Sequence, residues 1–533
     1  MRPLIQEIPT AHTPESLVES LHEAVGVVLL RSAMFESPHA RYSFVAAEPF
    51  LTFRSSGSRC EITHHAPGIS PQVQFGNPWP LLDALMSRCE LLDEIDLPFP
   101  LGGCFGYWGY DLKNFVEPKL PRRAMNDLEL PDCHVGFYDS LVVFDHHLGK
   151  VCVVSTGLAA DGSRNEERAT GRIKFWQQHL TNDPPQTLTP ALSLSDRERE
   201  NRTSAAGESK RVDVAGMLGN LNGRTTALPL PGGEGRGEGE RHTQQLSSNL
   251  SRPDFIAAVE RAQRYIRAGD IYQVNLSHRL AAPCAFSGWK LFERLLAVSP
   301  APFAAYLDCG EFQIVSSSPE LFLRMSGSQI TTRPIKGTRP RSPDATRDAQ
   351  LAYELQTSAK ELAELVMITD LLRNDLGRVC EFGSVQVPEL ARLERFSQVQ
   401  HLVSTVEGRL RADVTHFIAF ASCFPGGSIT GAPKFRAMEI IDELEPLARG
   451  PYTGCLGYLG FNRESQLSIS IRTAIHRGDV AFFQVGAGIV ADSVPAAEYE
   501  ETLAKGRGFL ASLARPGNGK HAGAPTARIG NET

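Results

Sequence analysis

Between about Pro185 and Leu250 the sequence loses the means to build a core, and the rest of the chain must be arranged around that break. Runs such as DREREN, GESKR and PLPGGEGRGEGER are polar, charged and glycine-rich. So little apolar surface cannot offset the entropy of ordering, and a disordered insert is expected. The break divides the chain into a strand-rich part at 1–184, the insert at 185–250, a second ordered part at 251–514 and a flexible tail at 515–533. With 533 residues, 42% of them hydrophobic, there is material for two or more cores.

In the first part, short runs such as GVVLLRSA, RYSFVAA, SLVVFD and KVCVVS are separated by Pro, Gly and Asn turns, the signature of successive strands. PLGGCFGYWGYDL, from Pro100 to Leu112, sets glycines between aromatics, as expected where backbones approach closely or turn tightly. In the second part, RPDFIAAVERAQRYIRAGDIYQVNLSHRL begins at a Ser251 or Asp254 cap. It carries Phe255, Val259, Ala262 and Ile266 at helical spacing, stops at Gly269 and enters a strand at Ile271. SPELFLRM and QITTRPIKGT read as strands joined through SGS, and SAKELAELVMITDLLRND as an amphipathic helix. LSISIRTAIHRGDVAFFQVGAGIVA reads as a strand pair turning at Arg477-Gly478-Asp479, and the final helix starts near Ala496.

Several functional classes are excluded. A formal net charge of -7 gives no general attraction to phosphate backbones or anionic membranes, so nucleic acid is not an expected partner. MRPLIQEIPTAHTPE has no apolar core behind a basic start, and no run reaches the roughly 18 apolar residues that span a bilayer. The cytoplasm is the default compartment. The ten cysteines show no CxxC pair and no zinc spacing, and are expected to be buried small apolar residues. FPGGSITGAPK lacks the GK[ST] ending of a phosphate loop and the order of a dinucleotide fingerprint, so neither ATP nor NAD is indicated.

What remains is acidic chemistry. Glu361 and Glu364 lie three apart on one helix, Glu498 and Glu501 on another, and residues at that spacing share a helix face. A single such pair is usually a solvated face. Two facing pairs would repel unless a cation sat between them, and Mg²⁺ takes oxygen ligands while leaving positions for an anionic substrate. In GAGIVADS, Gly486 and Gly488 would form a small-residue turn whose amides could hold a carboxylate. Arg472, read within the strand SISIRTA, offers a planar fork for a second carboxylate, or else a surface ion pair.

These segments together resemble the chorismate-utilising enzymes, a family that includes anthranilate synthase component I, isochorismate synthase and aminodeoxychorismate synthase component I. The resemblance is carried by GDIYQVNLS, SSSPELF, RPIKGTRPR, AKELAELVMITDLLRNDLGRV, VQHLVS, FPGGSITGAPKFRAMEIIDELEP, GYLGF, SISIRTA and GAGIVADS followed by AEYEET, with a weaker match at GGCFGYWGYD. It implies a mixed α/β fold of the α+β kind: two large, mainly antiparallel sheets packed as a sandwich and flanked by helices. It also implies roles. Glu364 and Glu501 would ligate Mg²⁺ directly, while Glu361 and Glu498 held its waters. Arg472, Tyr452, Gly486 and Gly488 would bind a carboxylate and the enolpyruvyl arm of chorismate. Ser428, Lys505 and His401 would surround the ring and the metal, although a histidine in VQHLVS can equally be a satisfied core residue.

Lys336 is the discriminating position. A lysine in a Gly/Pro-rich turn is ordinarily a solvated charge. Within the family, PIKGT resembles the aminodeoxychorismate synthases, whereas anthranilate synthases look like PIAGT. The resemblance implies that the Lys336 amine, freed of its proton by desolvation and nearby cations, adds to ring C2 as the C4 hydroxyl leaves. Ammonia then attacks C4 and expels the lysine, and Glu320 in SSSPELF would be the general acid. The expected reaction is chorismate plus ammonia giving 4-amino-4-deoxychorismate, on the route to 4-aminobenzoate and folate. No cysteine stands in a glutaminase context, which implies a separate glutamine amidotransferase subunit paired as a heterodimer. The alternatives are anthranilate synthase component I, a non-catalytic chorismate-binding module and a scaffold protein.

Overall fold

A computed structural model describes residues 2–32, 41–66, 68–91, 97–182, 246–396 and 399–514. The insert expected at 185–250 lies outside the described residues as far as residue 245, and so does the tail from 515. The end of the expected insert proves to be ordered. Leu246 is buried, and Ser247–Ser248 pair with Leu280–Ala281 as an edge strand. The Ser248 hydroxyl reaches both the Leu250 carbonyl and His278, so this polar stretch satisfies its groups within the sheet.

Two twelve-stranded antiparallel sheets form the body of the described chain, with helices around them. Both sheets run through both parts of the sequence. In the first, Val28–Arg31 pairs with Phe303–Asp308, placing Leu29 opposite Tyr306. In the second, Gly103–Trp108 pairs with Cys455–Gly460, placing Gly106 opposite Gly457. A Cβ on Gly106 would stand 2.2 Å from the His134 carbonyl oxygen, which is why the GGCFGYWG run alternates glycine with aromatics.

Strand alternation divides the core. Along Ser140–Asp145, Leu141 and Val143 join the core between the sheets, where Phe44 of the first sheet meets Tyr458 of the second with ring centroids 5.2 Å apart. Val142 points the other way, into a second core with Trp176 of helix Glu166–Thr181, Phe292 of helix Gly288–Val298 and Phe509 of helix Pro495–Leu513.

The elements read from the sequence largely appear. Helix Arg252–Arg267 is capped by Ser251, whose hydroxyl accepts from the Asp254 amide at 3.3 Å, and it leads into strand Gln273–Pro283. Thr473–Arg477 and Val480–Ile489 form the expected pair around Gly478, which sits at φ +57°. All ten cysteines are free; nine are buried and Cys152 is half-buried. No helix among the described residues is long and apolar enough to cross a membrane.

Candidate active site

Among the described residues the chain passes directly from one sheet to the other at four places, and the site is built on two of them. Gln313–Ser318 of the first sheet continues through Pro319 and Glu320 into Leu321–Ser326 of the second. Glu464–Ile469 of the second sheet returns through Ser470, Ile471 and Arg472 into Thr473–Arg477 of the first. The passages are stitched together. The Ser317 amide donates to the Arg472 carbonyl at 3.0 Å, the Ile469 amide to the Glu320 carbonyl at 3.1 Å, and the Ser318 hydroxyl to the Ile469 carbonyl at 2.6 Å. Arg472 is therefore outside the strand in which the sequence placed it. It adopts the left-handed conformation at φ +50°, uncommon for a non-glycine residue.

Glu320 is buried, and desolvation raises its pKa, with a hydrogen bond from Ser428 and the charge of Lys336 pulling the other way. Ser428 lies in the short turn Gly427–Ile429. The Arg472 guanidinium has no hydrogen bond or ion pair among the described residues, and burial lowers its pKa. A desolvated cation without a partner is costly in a folded protein unless an anion arrives to meet it.

Lys336 belongs to a strand, Ile335–Pro340, rather than a solvated turn. That strand pairs with Val399–Arg409, but the register shifts between Lys336 and Thr338, and the intervening Gly337 sits at φ +64°. Such a bulge re-aims the side chains on either side of it. Lys336 comes near enough for its charge to act on both Glu320 and Glu364. Beyond the bulge, the Thr338 hydroxyl and His401 Nδ1 hydrogen-bond at 2.9 Å. Burial, with Arg472 nearby, lowers the His401 pKa to about 4, so its imidazole is neutral at physiological pH.

Across the two helices Glu364 and Glu498 come within electrostatic reach of each other, while Glu501 is exposed and paired with Lys505. Glu361 and Glu364 project from helix Ala359–Gly377, and Glu498 and Glu501 from helix Pro495–Leu513. Burial raises the pKa of Glu364, and repulsion from Glu361 and Glu498 adds to it; burial also raises Glu498, with repulsion from Glu501 and a hydrogen bond from Ser493 in opposition. Two lysines stand among them, Lys360 at 4.0 Å from Glu364 and Lys505 at 2.9 Å from Glu501. Among the described residues no group of three or more His, Cys, Asp or Glu side chains is placed to hold a metal ion. The donor set nonetheless suits Mg²⁺, which commonly binds through one or two carboxylates and completes its shell with water and substrate oxygens.

Gly486 and Gly488 lie within strand Val480–Ile489, opposite Ser277 and Asn275, and not in the turn expected from GAGIVADS. On the strand's other edge the pairing with Thr473–Arg477 reaches only Phe483, so among the described residues the edge beside these glycines has no strand neighbour. A Cβ on Gly486 would fall 2.7 Å from the Tyr452 hydroxyl, so glycine lets that phenol close on the strand. Asn275 hydrogen-bonds the Tyr452 hydroxyl, and burial pushes the Tyr452 pKa up to about 12. Lys505 Nζ donates to the Gly486 carbonyl at 2.8 Å, tying the Glu498 helix to this strand.

Some participants were not legible. Thr338 at His401 and Asn275 at Tyr452 act through long-range packing that no local pattern announces, whereas Lys360, four residues before Glu364, and Ser493, five before Glu498, are local partners that the helix spacing could have shown. A separate cleft between the sheets, lined by Leu30, Arg31, Tyr42, Phe44, Pro302 and Tyr458 among others, contains none of the residues named above for the site.

A family model described as chorismate binding enzyme matches residues 31–511, and the chain belongs to this family. It is 36% identical to anthranilate synthase component 1 of Acetivibrio thermocellus, over 95% of this chain and 93% of that one. It is 37% identical to aminodeoxychorismate synthase component 1 of Klebsiella aerogenes, over 91% and 93%. The crystal structure of anthranilate synthase component I from Streptococcus pneumoniae TIGR4 matches with a TM-score of 0.68 at 29% identity, over 89% of this chain and 93% of that one. The chain is a chorismate-utilising enzyme of the anthranilate and aminodeoxychorismate synthase type, and its relatives carry both names.

Proposed function

We propose that the protein is an aminodeoxychorismate synthase component I, converting chorismate and ammonia to 4-amino-4-deoxychorismate and water through a covalent adduct on Lys336. The observation that carries this reading is the position of Lys336, within electrostatic reach of both Glu320 and Glu364. Burial raises the Glu320 pKa, so its carboxyl holds a transferable proton to a higher pH than an exposed glutamate would. In the first step the Lys336 nitrogen bonds to ring C2 and sheds a proton to solvent, the two ring double bonds shift from C1=C2 and C5=C6 to C1=C6 and C4=C5, and the C4–O bond breaks as Glu320 delivers its proton to the departing hydroxyl. In the second, ammonia bonds to C4, both double bonds shift back, and the C2–N bond to Lys336 breaks, the proton lost by the new C4 ammonium restoring the lysine amine. Dividing one difficult displacement into two is the gain of covalent catalysis.

Arg472, Tyr452 and the Gly486 and Gly488 backbone would hold a carboxylate and the enolpyruvyl arm, with Ser428, His401 and Lys505 around the ring. Glu364 and Glu501 would hold Mg²⁺ directly, and Glu361 and Glu498 its waters. Bound there, the ion would neutralise the ring carboxylate beside four glutamates. The "component 1" in the relatives' names supports a separate glutamine amidotransferase partner that supplies ammonia within a heterodimer. Ten free cysteines fit a reducing cytoplasm.

The test is to incubate the purified chain with chorismate, Mg²⁺ and ammonium beside Lys336→Ala and identify products by mass. Aminodeoxychorismate from the wild type, lost in the variant, is expected. An intact-protein adduct should also form on Lys336 when ammonia is withheld. Anthranilate with pyruvate, formed equally by Lys336→Ala, would overturn the proposal in favour of an anthranilate synthase.

A further inference from the structure

Behind the strand that carries Gly486 lies a buried ion pair that the proposed chemistry does not use. Arg449 and Glu445 have side chains 1% and 4% exposed. Arg449 Nε donates to Glu445 Oε2 at 2.8 Å and Nη2 to Oε1 at 2.6 Å. The remaining bonds point at the site from three directions. Nη2 also donates to the Asn275 carbonyl at 2.7 Å, and Asn275 holds the Tyr452 hydroxyl. Nη1 donates to the Ile429 carbonyl at 3.3 Å, one residue beyond Ser428, and to the Thr453 hydroxyl at 3.1 Å. Glu445 Oε1 accepts from the Ser277 amide at 2.7 Å and from its hydroxyl at 2.9 Å, and Ser277 is the residue opposite Gly486. Burial works against the Arg449 charge, but Glu445 more than offsets it and holds the guanidinium protonated.

The same guanidinium reaches the first part of the chain. Its carbon lies 4.7 Å from the Tyr110 ring centroid, the Gly450 amide donates to Asp111 at 2.9 Å, and the Tyr110 amide donates to the Gly450 carbonyl at 2.7 Å. A buried ion pair is a weak source of stability, because a neutral pair of similar volume often serves as well. A fork of five fixed donors is, however, well suited to holding several carbonyls at set distances.

We infer that Arg449, oriented by Glu445, is a positioning residue: it sets the Tyr452–Asn275 wall, the Gly486 strand and the Ser428 turn relative to one another and so fixes how the enolpyruvyl carboxylate is gripped. This rests on the reading of the site as one that binds chorismate.

The test compares wild type, Arg449→Lys and the double variant Glu445→Gln/Arg449→Met, which keeps an acceptor for Ser277 while removing both charges. Thermal unfolding, chorismate KM and kcat are measured on each. The double variant is expected to unfold within a few degrees of wild type yet lose about 10²-fold in kcat/KM, the scale of a misplaced reacting group. Arg449→Lys, which retains the charge without the planar fork, should raise KM in the same direction. A stable double variant with wild-type constants overturns the inference. Should that variant fail to fold, a folded Arg449→Lys with unchanged KM overturns it instead. A wild type that neither binds nor converts chorismate refutes the reading of the site, a failure distinct from an active wild type with unaffected variants.

Discussion

The Ser317 amide donates to the Arg472 carbonyl at 3.0 Å, so the backbone leading toward Glu320 and the backbone bearing Arg472 are one hydrogen-bonded unit. The proposed acid and the proposed carboxylate clamp are thereby mounted on the same pair of sheet-to-sheet passages. Glu320→Gln preserves size and a group for Ser428 to donate to, but removes the transferable proton. We expect kcat to fall about 10²- to 10⁴-fold with little change in KM, the range for loss of a positioned acid. Steady-state kinetics with chorismate decide it, and a rise in KM alone would assign Glu320 to binding.

Arg472 combines a left-handed backbone with a half-buried guanidinium that has no hydrogen bond or ion pair among the described residues. Arg472→Gln should raise the chorismate KM about 10- to 100-fold, as expected for losing charge-assisted hydrogen bonds to a carboxylate. It should also leave the unfolding temperature unchanged or slightly higher, because a partly desolvated charge without a partner is removed. A variant that binds less and melts lower would show that Arg472 has an intramolecular partner in solution.

Metal affinity separates the four glutamates. Glu361→Gln and Glu498→Gln, proposed to hold water, should weaken divalent-ion binding about 10- to 100-fold, as outer-shell changes do. Glu364→Gln and Glu501→Gln, proposed as direct ligands, should weaken it further. Mn²⁺ titration followed by electron paramagnetic resonance reads this without turnover. Equal affinities across all four variants would remove the metal from this cluster.

Stability should depend on pH through buried histidines. Burial lowers His278, His401 and His416 from 6.5 to about 4, and His134 to about 3. Between these values and 6.5 the unfolded chain binds protons that the folded chain excludes. The associated stability is therefore complete above pH 6.5 and lost as pH falls toward 4, with a slope of about 1.4 kcal/mol per pH unit for each group. The buried Glu320, Glu364 and Glu498, whose pKa values are raised, act in the opposite sense, since their contribution is lost as pH rises through their folded values. In His278→Gln the drop in unfolding temperature from pH 6.5 to 4.5 should be shallower than in wild type. An unchanged slope would mean that His278 is protonated in the fold.

Local signals were legible where local physics decides the structure. The Ser251 cap, the turn at Gly478 and the helices bearing Glu361 and Glu498 follow from side-chain preferences within a few residues. The misreadings fall where a distant partner decides. Gly486 and Gly488 looked like a turn because nothing local reveals the neighbouring strand Gln273–Pro283 or the Tyr452 hydroxyl that glycine admits. Arg472 looked like a strand residue because the apolar alternation of SISIRTA runs on across the passage between sheets. Pro334 and Gly337 read as punctuation around Lys336, yet Val399–Arg409 pairs on both sides of them and converts that loop into a bulged strand.

The pairing of Leu29 with Tyr306 and of Gly106 with Gly457 has a kinetic consequence. Neither sheet can be completed until segments hundreds of positions apart have met, so assembly is governed by non-local closure and should be slow. Closure entropy grows only with the logarithm of the separation. In the unfolded chain, residues 183–245 therefore add about 0.2 kcal/mol to bringing Leu29 and Tyr306 together. A sequence can accumulate a long interruption at that seam with almost no thermodynamic penalty, while a cut there would yield two fragments, each carrying unfinished sheet edges that only the other can complete.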